Sequence, residues 1–141
     1  MTLAPRHLTG VRVLYVEDDA DTLALMAHLL RAAGATVVAV SSADEAVAAF
    51  DREQPDVLVS DTQMPDRDGW ALIEQVRTGS RARGGMTPAI AVTGSTSDAD
   101  LAHSRLSGFD AHLSKPIEMD ELVRAIGRLV GRGGISDGAT V

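Results

Sequence analysis

The chain contains no cysteine, which excludes disulfides, iron–sulfur clusters and thiolate zinc sites. Aromatic residues are only 3% of it, against 45% hydrophobic residues in all. A core made mostly of Ala, Val, Leu and Ile favours helices packed closely on a sheet over an aromatic-rich sandwich. No apolar run approaches the ~18 residues of a membrane span, and the N-terminus carries no signal-peptide apolar segment. The four histidines are scattered, without the HxxxH-type spacing of a metal site. Positive charge is also scarce: 13 basic residues stand against 20 acidic ones, a formal net charge of -7. Phosphate-backbone contacts need clustered Lys and Arg, so direct nucleic-acid binding is not expected. With 141 residues, the expectation is one soluble cytoplasmic domain of ordinary size.

Two hydrophobic periods alternate along the chain. Val11 to Val16 is a short β-branched run with the pattern of a buried strand. Leu23, Met26, Ala27 and Leu30 then recur at helical spacing, with Gly34 where a helix C-cap would fall. Thr36 to Val40 is strand-like again, and Ser42 with Glu45 has the spacing of a capping box. The helix it opens must stop before Pro55. Asp56 to Ser60, Ala89 to Thr93 and Ala111 to Leu113 supply three more strands. Helices are expected from Trp70 to Val76, from Ser97 to about Gly108, and around Leu122, Ile126 and Leu129. A basic, glycine-rich loop from Thr78 to Gly85, with Arg81 and Arg83, separates the third helix from the fourth strand. Residues 1–10 are expected as an N-terminal extension, 11–130 as the domain, and 131–141 as a flexible tail. Five strands alternating with five helices imply an α/β fold of three layers, a parallel sheet covered on both faces.

In open sheets of this kind, ligands bind outside the carboxyl ends of the strands. The residues there form a coherent set. Glu17, Asp18 and Asp19 follow the first strand, Asp61 the third, and Lys115-Pro116 the fifth, while Thr93 closes the fourth. Oxygen ligands without Cys or His suit a hard cation, Mg²⁺ above all. A carboxylate can attack phosphorus and form an aspartyl phosphate. Catalysis of that transfer is mostly positioning and charge neutralisation. Asp61 as acceptor, Mg²⁺ and Lys115 as cations and Thr93 as hydroxyl donor supply each role.

The segments Val13 to Asp19, Asp56 to Gly69, Ala91 to Gly94 and Ser114 to Pro116 resemble the signature blocks of response-regulator receiver domains. The resemblance runs from about Val11 to Val130. It implies a flavodoxin-like doubly wound sheet of strand order 2-1-3-4-5. It implies Asp61 as phosphoacceptor, with Thr93 and Lys115 completing the catalytic set. Asp18 and Asp61 would bind the metal directly, Glu17 largely through water, and Gln63 through its backbone carbonyl. Mn²⁺ would substitute for Mg²⁺. The backbone amides of Thr62 and Gly94 would touch the phosphoryl oxygens, and the Lys115–Pro116 bond would be cis. Thr93 would act as the hydroxyl switch, and His112 stands where many relatives carry Tyr or Phe as its partner. Expected partners are a sensor histidine kinase or histidine phosphotransfer protein and a downstream protein target, without direct contact to nucleic acid or membrane. Enzyme activity would be limited to self-phosphorylation from a phosphodonor and self-dephosphorylation. Gly108 to His112 resembles receivers of hybrid sensor kinases, and no DNA-binding region follows Val130, so output would run through protein contacts or another domain.

Taken singly, each residue has a plainer reading. The three acids could cap a helix, Asp61 could be a turn residue, Lys115 a surface lysine, and Trp70 a packing residue. Their joint placement after strands outweighs these. A phosphohydrolase with an aspartyl nucleophile would need an acid two residues after Asp61, where Gln63 stands. A degenerate receiver would lack part of the acid, Thr and Lys set, and a flavin module would need a Ser/Thr/Gly-rich loop after the first strand.

Overall fold

Successive strand residues point to opposite faces of a sheet, so a strand buried on both faces must be apolar throughout. The computed structural model, which describes residues 7–64, 68–79, 86–94 and 97–131, has this arrangement. Strands β1 (Arg12–Val16), β2 (Thr36–Val40), β3 (Val57–Asp61), β4 (Ala89–Thr93) and β5 (Ala111–Ser114) alternate with helices α1 (Ala20–Ala32), α2 (Ala43–Glu53), α3 (Gly69–Gly79), α4 (Asp98–Ser107) and α5 (Met119–Leu129). All pairings are parallel, and the order is β2-β1-β3-β4-β5. The expected fold class is therefore the observed one.

The two sheet faces feed two cores. Val13, Tyr15, Val57, Val59, Ile90 and Val92 pack with Met26, Ala27 and Leu30 of α1 and Leu122, Val123 and Ile126 of α5. Leu14, Val16, Leu58, Ala89 and Ala91 pack with Ala46, Ala49 and Phe50 of α2 and Leu72, Ile73 and Val76 of α3.

Several boundaries move. The strand β3 starts at Val57 and includes Asp61, which pairs with Val92, while Asp56 just before it accepts from the Arg12 amide through its carboxylate at 2.8 Å. Thr78 and Gly79 belong to α3. The Thr78 hydroxyl donates to the Glu74 carbonyl at 3.0 Å, the back-bond a threonine makes inside a helix. Arg81 and Arg83 lie outside the described residues, as do Pro65 and Asp66. Packing also reaches beyond the expected domain start at residue 11. Leu8 is fully buried, and its amide donates to the Ala33 carbonyl at 2.7 Å. The flexible tail expected over 131–141 lies, apart from Gly131, outside the described residues.

Helix ends follow local chemistry. Ser42 accepts from the Glu45 amide at 3.1 Å, one arm of a capping box. The Glu45 carboxylate accepts from the amide of Ser41 at 2.8 Å, one residue beyond the N-cap amide of the reciprocal bond. Gly34 follows the α1 C-cap Ala33 with φ of 103°, a conformation that favours glycine.

Candidate functional site at the strand carboxyl ends

The order reversal between β1 and β3 leaves a crevice where their carboxyl ends emerge. Glu17 continues from β1 and is 3% exposed, while Asp61 ends β3 at 4% exposure. Oxygens of Glu17, Asp18 and Asp61 lie within 4.8 Å of one another. Opposite corners of a Mg²⁺ octahedron are about 4.2 Å apart, so this spread suits mixed direct and water-bridged ligation. The acidic cluster fits a Mg²⁺ site.

The third acid has another task. Asp19 is the N-cap of α1, its Oδ2 accepting from the Thr22 amide at 2.9 Å and the Thr22 hydroxyl at 2.5 Å. Those two bonds hold its carboxyl below the usual range. The acidic triplet is thus divided between helix capping and the crevice.

Lys115 supplies the opposing charge. Its Nζ donates to Asp61 Oδ2 at 2.8 Å and stands 3.7 Å from Glu17 Oε1. Burial pulls this ammonium down, but the Asp61 bond and the charges of Asp61, Glu17 and Asp18 outweigh it and hold it above its ordinary value. Burial raises Glu17. The Asp19 amide, donating to Glu17 Oε2 at 3.1 Å, and Lys115 oppose that rise, while Asp61 and Asp18 reinforce it. Tyr15, buried beneath, is raised by burial, Glu17 and Asp61. The Lys115 amide donates to the Thr93 carbonyl at 2.9 Å, which sets β5 beside β4, and the Lys115–Pro116 bond is cis.

Backbone amides are distributed differently from expectation. The Thr62 amide is spent on the Val92 carbonyl at 3.1 Å. The amide that donates to Asp61 Oδ1, at 3.0 Å, belongs to Gln63. Continuation of the β3–β4 ladder past Asp61 consumes one amide and turns the next toward the carboxylate, a detail no residue type announces. Gly94 is exposed, and a Cβ there would meet nothing within 4 Å. Thr93 is buried at 3% exposure.

Behind the crevice, α3 begins against the Asp61 backbone. The Gly69 amide donates to the Thr62 carbonyl at 3.0 Å, and a Cβ on Gly69 would collide with the Asp61 carbonyl oxygen. Only glycine permits that approach. On the other flank, a cavity of about 430 Å³ is lined by Glu17, Thr22, Met26, Lys115, Pro116 and Ile117. His112 is exposed, on the wall of a separate cleft of about 270 Å³ with Leu101, Ser104, Arg105, Phe109, Asp110 and Ala111.

Residues 13–127 match the response regulator receiver domain. The chain belongs to that family. The receiver is 39% identical over 119 residues to the uncharacterized 14.6 kDa protein in the sodA1 3′ region of Leptolyngbya boryana, covering 84% of this chain and 89% of that protein. It is 33% identical over 129 residues to hybrid signal transduction histidine kinase D of Dictyostelium discoideum, where the match covers 87% of this chain and 8% of the kinase. It is also similar to the receiver domain of a sensor histidine kinase from Pseudomonas aeruginosa PAO1, whose structure has a magnesium ion coordinated in the active site cleft. That similarity has 28% identity and a TM-score of 0.79, covering 87% of this chain and 99% of that one. Receivers are phosphoacceptor switch domains of two-component signalling. Among the described residues no helix is long and apolar enough to cross a membrane.

Proposed function

We propose that this receiver accepts a phosphoryl group on Asp61 from a phosphohistidine of a sensor kinase or phosphotransfer protein, and that the aspartyl phosphate switches binding to a downstream protein. The observation that carries the reading is the Asp61 carboxylate, bonded to Lys115 at 2.8 Å within an acid cluster open to a cation. In the transfer, an Asp61 oxygen forms the new O–P bond as the donor's N–P bond breaks. The electron pair returns to the donor imidazole, which takes a proton from solvent. Mg²⁺, or Mn²⁺ in its place, would be held by Asp18, Asp61 and the Gln63 carbonyl, with Glu17 acting through water, and would supply charge neutralisation at the phosphoryl oxygens.

The chain's own groups do the rest. Lys115 faces Asp61 now and would turn its charge to a phosphoryl oxygen. The Gln63 amide takes the part expected of Thr62, because Thr62's is engaged in the ladder. The Gly94 amide and the Thr93 hydroxyl would complete the cradle, and the Thr93 movement would let His112 turn inward from its cleft. Self-phosphorylation from small donors and self-dephosphorylation would be the only enzymatic activities. The domain would work in the cytoplasm, without direct nucleic-acid contact. Phosphoramidate, a small N–P donor, tests the reading. Intact mass should show one added phosphoryl group with Mg²⁺ and none with EDTA or in Asp61→Asn. Equal labelling in Asp61→Asn defeats the assignment.

A further inference from the structure

Helix α4 is anchored unlike its neighbours. The buried positions of α1, α2 and α5 carry Met26 and Leu30, Phe50, and Leu122 and Ile126. Those of α4 are two serines, Ser104 and Ser107. Little hydrophobic burial therefore holds α4 on the sheet. What does hold it is specific. The Trp70 indole, in the first turn of α3, stacks on His103 with ring centres 3.9 Å apart and planes 24° from parallel. Its Nε1 donates to the Ser104 hydroxyl at 2.9 Å.

The far end of α4 is fixed independently. Arg77 donates to the Gly108 carbonyl from Nε at 3.1 Å and from Nη2 at 2.8 Å. It also pairs with Asp110 at 3.0 Å, whose carboxylate accepts from the Ala89 amide at 2.9 Å. A helix pinned at its C-terminal end and clipped in its middle can swing if the clip opens.

We infer that Trp70 is a latch that holds α4 in the unphosphorylated state and releases it when the Asp61 backbone shifts. Trp70 follows Gly69, which is packed directly on the Asp61 carbonyl and bonded to the Thr62 carbonyl. A displacement at the acceptor therefore reaches the indole through one rigid turn of helix. Both positions of the latch satisfy the groups concerned. A released Ser104 hydroxyl can bond back to the carbonyl four residues earlier, and the indole N–H can meet water. The latched state has a built-in cost, since the Ser107 hydroxyl is buried without a hydrogen-bond partner among the described residues. Ser104 also lines the cleft that holds His112, so release reshapes that cleft. Such discrete alternatives are what an allosteric element requires. The trigger rests on the proposed phosphorylation of Asp61, whereas the latch is a property of the unphosphorylated fold.

Hydrogen exchange of the full chain tests the latch without phosphorylation. Ser104→Ala and Trp70→Phe each remove the indole–hydroxyl bond, Trp70→Phe keeping a stacked ring. Amides of residues 101–107 should lose protection roughly fivefold, the equivalent of one ordinary hydrogen bond, with α5 unchanged. Wild-type exchange at 101–107 in both variants overturns the inference. Trp70 is the sole tryptophan, so its emission then reports the trigger. With Mg²⁺ and acetyl phosphate, and occupancy read by intact mass, wild-type emission should move to the value of unphosphorylated Ser104→Ala. Labelled protein with unchanged emission overturns the trigger and leaves acceptance by Asp61 standing. Protein that takes up no phosphoryl group defeats the proposed function, and the exchange comparison still decides the latch.

Discussion

Replacing Asp18 with Asn should move stability in opposite directions with and without metal. Three carboxylates gather within 4.8 Å, with Lys115 the cation bonded among them. At that separation two unit charges repel by about 3.5 kcal/mol at an effective dielectric of 20, and about 0.9 kcal/mol in water. Asp18 is exposed, so the lower figure applies to its two repulsions, and its attraction to Lys115 offsets part of them. The Asn variant should be more stable than wild type by on the order of 1 kcal/mol when metal-free. Adding Mg²⁺ at ~100 times its dissociation constant should stabilise wild type by about 2.7 kcal/mol. For a domain of this size that is roughly 10 °C in Tm. Asp18→Asn should lose most of that gain. Thermal melts in EDTA and across a Mg²⁺ titration, at fixed ionic strength, read both signs. A variant less stable than wild type in EDTA, with a full Mg²⁺ response, refutes the electrostatic reasoning.

Gly69→Ala stands at the first position of α3, where the propensity gain of a helix interior does not apply in full, and the collision with the Asp61 carbonyl should outweigh it, since backbone cannot turn aside. A net loss of roughly 1–2 kcal/mol in urea denaturation is expected, and a stabilised variant contradicts the close approach. Burial raises Glu17 from its ordinary 4.5, so the folded state holds a proton that the unfolded state releases. Metal-free stability should therefore fall as pH rises from 4.5 through the raised value. Glu17→Gln should flatten that fall in melts at matched pH, and identical slopes would refute it. His112→Ala should reduce the ratio of partner affinities with and without a phosphoryl analogue, the coupling that defines a switch. An unchanged ratio makes His112 a bystander.

The alternating periods made the fold legible, because a sheet buried on both faces demands apolar strands such as Val57 to Val59 between polar turns. Asp61, Glu17, Asp18 and Lys115 were legible as a group, since strand carboxyl ends converge. Less visible was everything decided by backbone direction. Whether Thr62 or Gln63 presents its amide depends on how far the β3–β4 ladder runs. Asp19 could be separated from its two acidic neighbours only once Thr22 stood beside it. The Trp70 contact with His103 and Ser104, and the Arg77 clasp on Gly108, join residues more than thirty positions apart. No local pattern encodes such pairs.

Chemical mapping of the phosphoryl group tests acceptance by Asp61 most directly. Protein labelled with acetyl phosphate in Mg²⁺ would be treated with borohydride, which reduces an acyl phosphate to the alcohol, and then digested for peptide mass analysis. Homoserine is expected at position 61, absent without phosphodonor and absent in EDTA. Homoserine at Asp18 or another aspartate, the longer alcohol at a glutamate, or no reduced residue in protein carrying the label, would contradict it.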